Sequence, residues 1–426
     1  MKKILTAVFF AAFVTSAYAQ SGTNSPYSQY GLGILSDQTS GFNRGMNGLG
    51  LGFREHNQVN YINPASYSSI DSLSFIFDAG ISGQVTNFSE SGVKKNANNS
   101  NFEYVVAGFR AARHLGVAFG IIPFTNVGYN YSNSGLISEE GNSSTTSYVN
   151  TYSGSGGFHQ VFLGAGWEPV KGFSFGANIS YLWGSYSRSV VNSYTDSYIN
   201  TLSRVYSASV KSYKLDLGAQ YSQKVSKKDN LTFGVTWSLG HKLGATPECS
   251  DVSNNSMTSV SETTPHSGLG KLEIPMMYGA GVTWSHNNML KVGFDYSLQC
   301  WGAIDPMRYD GLNVSDAYSD RQKYTLGGEV CPQENGRNFF KRIHYRIGAS
   351  YATPYVKING LDGPKEYSVS AGFGIPIVNG YNNRSLLNIS GQWVCQDSKT
   401  FIKENSFRIN IGLTFNEKWF AKWKVE

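Results

Sequence analysis

Charge is scarce in this 426-residue chain. Asp, Glu, Lys and Arg together make up 15% of it, well under the roughly 25% of an average soluble domain. The net charge is only +6 and no basic face stands out, which argues against a nucleic-acid partner. Cysteine is scarce too. Cys249, Cys300, Cys331 and Cys395 form no CxxC pair and have no histidine at metal-ligand spacing, so a zinc module is excluded while a Cys249–Cys300 bridge stays open. Beyond the first twenty residues no apolar run approaches the ~18 residues of a membrane helix, which leaves spanning by strands open. Catalytic constellations are also missing. There is no HExxH, and Gly348-Ala349-Ser350-Tyr351-Ala352 lacks the last glycine of a nucleophile elbow. His344 and Ser350 share a strand face but lie roughly 20 Å apart, too far for proton transfer. Neither enzyme activity nor a cofactor or metal is expected.

What the chain does have is glycine and aromatics: 47 Gly, 27 Tyr, 25 Phe and 8 Trp. It opens with a leader. Lys2 and Lys3 precede an apolar stretch from Ile4 to Val14, and Ala17-Tyr18-Ala19 is a small-x-small cleavage site, so residues 1–19 read as a signal peptide. No cysteine follows the site, which argues against a lipoprotein.

Period-2 alternation dominates the rest. Phe173, Phe175, Ala177, Ile179, Tyr181 and Trp183 interleave with Ser174, Gly176, Asn178 and Ser180. Phe407, Ile409, Ile411, Leu413 and Phe415 do the same with Arg408, Asn410, Gly412 and Thr414. Such segments predict about fourteen strands, near 73–83, 102–111, 115–124, 158–167, 172–187, 206–223, 230–240, 269–285, 289–300, 321–331, 341–352, 366–376, 385–395 and 405–415. Short connections alternate with long ones, which are expected at 84–101, 125–157, 188–205, 241–268, 301–320, 353–365 and 396–404. An even strand count with short turns on one side and long loops on the other is the pattern of a transmembrane antiparallel β-barrel. Closure would also leave no strand edge facing lipid. The fold class is therefore all-β: a barrel over 73–415 in the outer membrane of a Gram-negative cell, surrounded by lipid, with both termini periplasmic.

Residues 20–72 differ. They hold Gly31, Gly33, Gly41, Gly45, Gly48, Gly50 and Gly52 with little alternation, yet Tyr27, Tyr30, Phe42, Phe53, Tyr61 and Tyr67 give them something to pack. A plug, or hatch, inside the lumen is expected, and glycines on the inner face (Gly164, Gly234, Gly281, Gly293, Gly348, Gly372, Gly412) would leave room for it. The inner-face parity also carries Asp78, Lys214, Asp216, Lys291, Asp295, Glu329, Arg346 and Arg408. These acids and bases are expected to pair and to anchor the plug. Stretches such as Asn142–Tyr152 and Ser193–Thr201 read as solvated outer loops. Residues 416–426, with Lys418, Trp419, Lys422, Trp423 and Lys424, read as a basic periplasmic tail suited to the membrane interface or a partner.

The leader, the Gly-rich N-terminal segment, Asn63-Pro64-Ala65 just before the first strand and the fourteen strands together resemble the FadL family of long-chain fatty acid transporters. Ser25-Pro26-Tyr27-Ser28 and Asn63-Pro64-Ala65-Ser66-Tyr67 resemble its Bacteroidota branch. The resemblance implies a hatch containing Asn63, Pro64 and Ala65, and passive transport of hydrophobic, fatty-acid-like ligands that leave sideways at a kinked third strand. Gly120 and Pro123 are where that lateral gate would lie, although Pro123 could equally just end the strand. The polar inner face cuts against copying this activity, since an alkyl chain needs apolar walls. The alternative is a non-transporting accessory barrel in an outer-membrane protein assembly or secretion complex, with its plug permanent and its loops and tail as contacts for protein partners.

Overall fold

The computed structural model describes residues 22–138, 145–312, 317–334, 336–379, 382–398 and 401–417. The leader and residues 418–426 of the tail lie outside these.

Fourteen antiparallel strands form a closed barrel, as the alternation predicts. They are β1 Phe75–Glu90, β2 Val93–Ala112, β3 Leu115–Ser138, β4 Thr145–Val170, β5 Phe173–Tyr194, β6 Thr201–Lys224, β7 Asp229–Ser238, β8 Met277–His286, β9 Leu290–Gln299, β10 Arg321–Val330, β11 His344–Ala352, β12 Lys365–Asn379, β13 Asn382–Asp397 and β14 Lys403–Glu417. The wall closes where β1 pairs with β14, from Phe75↔Glu417 to Ser89↔Lys403. Asn416 and Glu417, expected in the tail, are therefore still strand. Each strand turns one face outward. In β5, Phe175, Ile179 and Tyr181 are exposed while Ser174, Ser180 and Leu182 are buried, the apolar-out arrangement of a lipid-facing wall.

The long connections are a correction. β3 runs for 24 residues and β4 for 26, against the ~9–11 that cross a bilayer. Most of 84–101, 125–157 and 188–205 is ladder and not loop: Ser91 and Gly92 alone separate β1 from β2, and Tyr148↔Tyr194 and Asn150↔Asn192 are paired residues. A hairpin of Glu248–Asn254 and Ser261–Leu269 continues the same rim against Thr201–Ser207 of β6. Greasy alternation marks only lipid contact. Above the membrane both faces meet water, so Tyr, Ser, Thr and Asn can fill a strand without showing that pattern. The four cysteines are free, so Cys249 and Cys300 are not bridged.

One ladder is incomplete. β2 and β3 pair only from Ala112↔Leu115 to Val105↔Ile121. Beyond that, β3 stays paired with β4 and β2 with β1, and the two strands part. The N-terminal segment enters this seam. Ile34 and Leu35 form a short strand against Asn126 and Thr125 of β3. On the other side Asn24 donates to the Asn98 carbonyl at 3.2 Å, and Asn99 and Asn101 donate to the Gly22 carbonyl at 2.9 and 2.5 Å.

The apolar core lies where this segment meets the inner wall. Val59, Tyr61, Tyr67 and Ile70 pack on Ile76, Tyr104, Val106, Ile122 and Phe162. Nearer the long-strand rim Tyr27 and Leu32 join Phe124, Val127, Phe158, Leu182 and Trp301.

Candidate functional site

The barrel interior, against which residues 22–72 pack, is the candidate site. Its floor is built from Asn63-Pro64-Ala65. Asn63 caps the 3-10 turn Pro64–Ser69, its Oδ1 accepting from the Ala65 amide at 3.2 Å. Proline suits the first position of such a turn because its missing N–H would be unpaired there anyway. The Asn63 amide donates to the Leu51 carbonyl at 3.0 Å and to the Ala219 and Val235 carbonyls on the wall at 3.3 and 3.4 Å. At Gly176 and Gly218 a Cβ would run into Pro64 and Asn63; only glycine lets the two backbones come this close.

Above the floor the contacts are charged. Arg54 pairs with Glu168 at 2.7 Å, Lys291 with Glu55 at 2.5 Å, and Arg44 with Glu103 at 2.8 Å. Asp37 meets Arg408 at 3.0 Å and Lys323 at 3.8 Å. Burial pushes the Asp37 carboxyl up, but Lys323, Arg408 and Arg44 outweigh it and hold it well below the ordinary carboxylate range. Nearest the rim, the Ser25 hydroxyl donates to Glu404 at 2.6 Å.

The predicted inner-face charges divide by partner. Lys291 and Arg408 reach acids of the segment. Asp295 accepts from the Gly50 and Leu51 amides at 2.7 and 2.9 Å, so its partners are backbone and not a base. Asp78 accepts from the Tyr104 hydroxyl at 3.0 Å, and that hydroxyl accepts from the Gly41 amide at 2.7 Å. Glu329 pairs with Arg346 at 2.6 Å inside the wall, and Arg346 donates to Asn388 at 2.6 Å. Lys214 and Asp216 pair with each other on β6, beside a cavity of about 220 Å³ that Ile122, Phe162 and the segment's Tyr61 also line. Of the glycines expected to make room, Gly164 faces Asn178 of the wall instead.

Gly120 sits where β2 and β3 part, paired with Val106 in the second-last rung of their ladder. Pro123 lies just past it, beside a register shift between Pro123 and Thr125. Its carbonyl accepts from Gln38 of the segment at 2.7 Å, and Gln38 accepts in turn from Gln160 at 2.5 Å.

Sequence reasoning missed Arg44, Arg54, Glu55, Asp37, Glu103, Glu168 and Lys323. The first four stand in the aperiodic segment, where no parity assigns a face. A count of unpaired charges on both sides of residue 72 would have flagged them.

The model of the family described as BamG matches residues 1–426. Among curated proteins none matches in sequence. Solved structures match in fold. The Ralstonia pickettii toluene transporter TbuX has a TM-score of 0.62 at 14% identity, covering 89% of this chain and 98% of its own. A Pseudomonas aeruginosa FadL homologue has 0.61 at 11%, covering 90% and 99%. The Pseudomonas putida toluene transporter TodX has 0.57 at 13%, covering 92% and 100%. The fold is that of FadL-type outer-membrane barrels.

Proposed function

Because this chain belongs to the BamG family, we propose that it is a non-transporting accessory barrel in an outer-membrane protein assembly or secretion complex. The observation that carries this reading is the seating of residues 22–72. Buried ion pairs and carboxylate–amide bonds fix them around the lumen, and residues 22–38 occupy the seam where the wall parts. Leaving a buried charge without its partner costs about 3–5 kcal/mol, and Arg44–Glu103, Arg54–Glu168 and Lys291–Glu55 would each be broken if the segment left. In this reading the segment is a permanent plug, the short-turn rim and both termini face the periplasm, and the long rim of β3 to β6 is a contact surface.

A second reading, passive transport of hydrophobic small molecules, draws support from the neighbours described as toluene transporters and from the lumen cavity beside Ile122 and Phe162.

The test is gentle detergent extraction from native membranes, with mass spectrometry of what copurifies in fixed proportion. A stoichiometric partner of an outer-membrane assembly or secretion complex is expected. A lone barrel whose deletion abolishes toluene uptake would overturn the proposal in favour of transport.

A further inference from the structure

A second cavity of about 220 Å³ opens at the long-strand rim. Its walls include Tyr129, Tyr186, Tyr206 and Tyr309, with Gln29 and Arg188. The rings of Tyr129, Tyr186 and Tyr309 are buried, and among the described residues their hydroxyls make no hydrogen bond. Among the described residues no acidic side chain lines the cavity.

Arg188, like Arg342, has a buried Nε without a partner, and of the two it is Arg188 that lines this cavity. Arg44, Arg54, Arg321, Arg346 and Arg408 each meet a carboxylate. Arg188, part-buried, makes no ion pair among the described residues. It donates to the Gly31 carbonyl at 2.8 Å and lies 4.3 Å over the Tyr186 ring, while its Nε is buried without a partner. A guanidinium is a planar fork of donors matched to a carboxylate, and here it stands among aromatic faces and unused phenol hydroxyls.

We propose that this cavity binds a ring-sized organic anion, a carboxylate carried on a six-membered ring. The carboxylate would sit on Arg188 with help from the tyrosine hydroxyls, and the ring would lie against phenol faces. Size agrees: an apolar cavity of about 150 Å³ suffices for benzene, so 220 Å³ leaves room for the charged group. A neutral sugar is a poorer fit, because its hydroxyls would find no carboxylate to accept from them. The same chemistry has two sources, a free aromatic acid and the terminal uronic acid of a surface glycan.

Calorimetric titration of the full barrel in detergent decides it, with sodium benzoate and sodium glucuronate as probes and benzyl alcohol and methyl glucoside as uncharged controls. Saturable binding of at least one carboxylate is expected, at least about tenfold tighter than its uncharged control, since a hydrogen bond to a charged group is worth that much. Benzoate alone binding identifies a free aromatic acid; glucuronate alone identifies a glycan end. Arg188→Gln should lose about tenfold or more and Arg188→Lys less, with folding checked by heat-modifiable gel migration. If neither acid binds the wild-type barrel, or if each binds no better than its control, the proposal falls. Should Arg188→Gln misfold, the comparison of acid with control on the wild type still decides.

Discussion

Arg44 and Glu103 form an ion pair of 2.8 Å with only 3% and 7% of their side chains exposed. The pair ties a helical turn of the N-terminal segment, Gly41–Arg44, to β2 beside the point where β2 leaves β3. Arg44 also donates to the Asp37 and Thr39 carbonyls and to Asn410, so one side chain organises the segment and reaches β14. Arg44→Met strands Glu103 and should lower stability by about 3–5 kcal/mol in chemical unfolding from micelles. Arg44→Met with Glu103→Leu should recover most of that loss. A single variant as stable as wild type would remove this pair from the segment's anchorage.

Asp37 sets a pH dependence with a definite sign. Its native pKa lies below the ordinary carboxylate value. Its contribution is therefore fully present above about pH 4 and fades only as pH falls toward the lower native value. The stability difference between wild type and Asp37→Asn should stay constant from about pH 8 to about pH 4 and shrink below that. A difference already halved at neutral pH would contradict the ion pairs with Arg408 and Lys323.

The seam gives a third expectation. Deleting residues 22–36 removes the strand on Asn126 and Thr125 and should make the barrel conduct ions in planar bilayers more readily than wild type. With the seam sealed, Gly120→Val plus Pro123→Val should leave uptake of apolar compounds unchanged. Abolished uptake would instead identify a lateral gate.

Backbone contact at the floor can be tested on glycines. A side chain at Gly218 runs into Asn63 and Pro64, whereas around Gly83 a Cβ has nothing within 4 Å. Gly218→Leu should cost at least about 1–3 kcal/mol through overpacking, and Gly83→Leu almost nothing. Equal effects in denaturant melts would mean that the floor yields freely.

Orientation follows from the two rims. Tyr198 is exposed between β5 and β6, and Lys227 is exposed in the turn between β6 and β7. On intact cells a membrane-impermeant maleimide should modify Tyr198→Cys and spare Lys227→Cys. Modification of both would reject this topology.

The wall was legible because lipid writes a two-residue period into every strand that crosses it. Phe175, Ile179 and Tyr181 could not be mistaken. Where the ladders leave the lipid the record stops, so Tyr148, Asn150 and Ser193 read as loop although they are paired. The lumen was readable only from one side. Asp295 announced a buried charge, but its partners are the amides of Gly50 and Leu51, and every residue has an amide. Lys214 and Asp216 satisfied each other two residues apart on one face. The parting of β2 from β3 left no trace in hydropathy, because residues 22–36 replace one set of hydrogen bonds with another.

The bonds between the N-terminal segment and β14 also bear on how this molecule comes into being. Ser25 and Glu404 are 379 residues apart, Asp37 and Arg408 371, and Arg44 and Asn410 366. Residues 25–44, synthesised well before the last strand, thus find their partners in it, and it is the same strand that closes the cylinder against β1. Contacts of such separation form late, because the entropy of a long loop must be overcome before they are rewarded. Until then the segment's arginines and the acids meant for them would stand in a half-made, open sheet. Filling and closing are therefore expected to be coupled, with the N-terminal segment serving as the mandrel on which the wall is rolled.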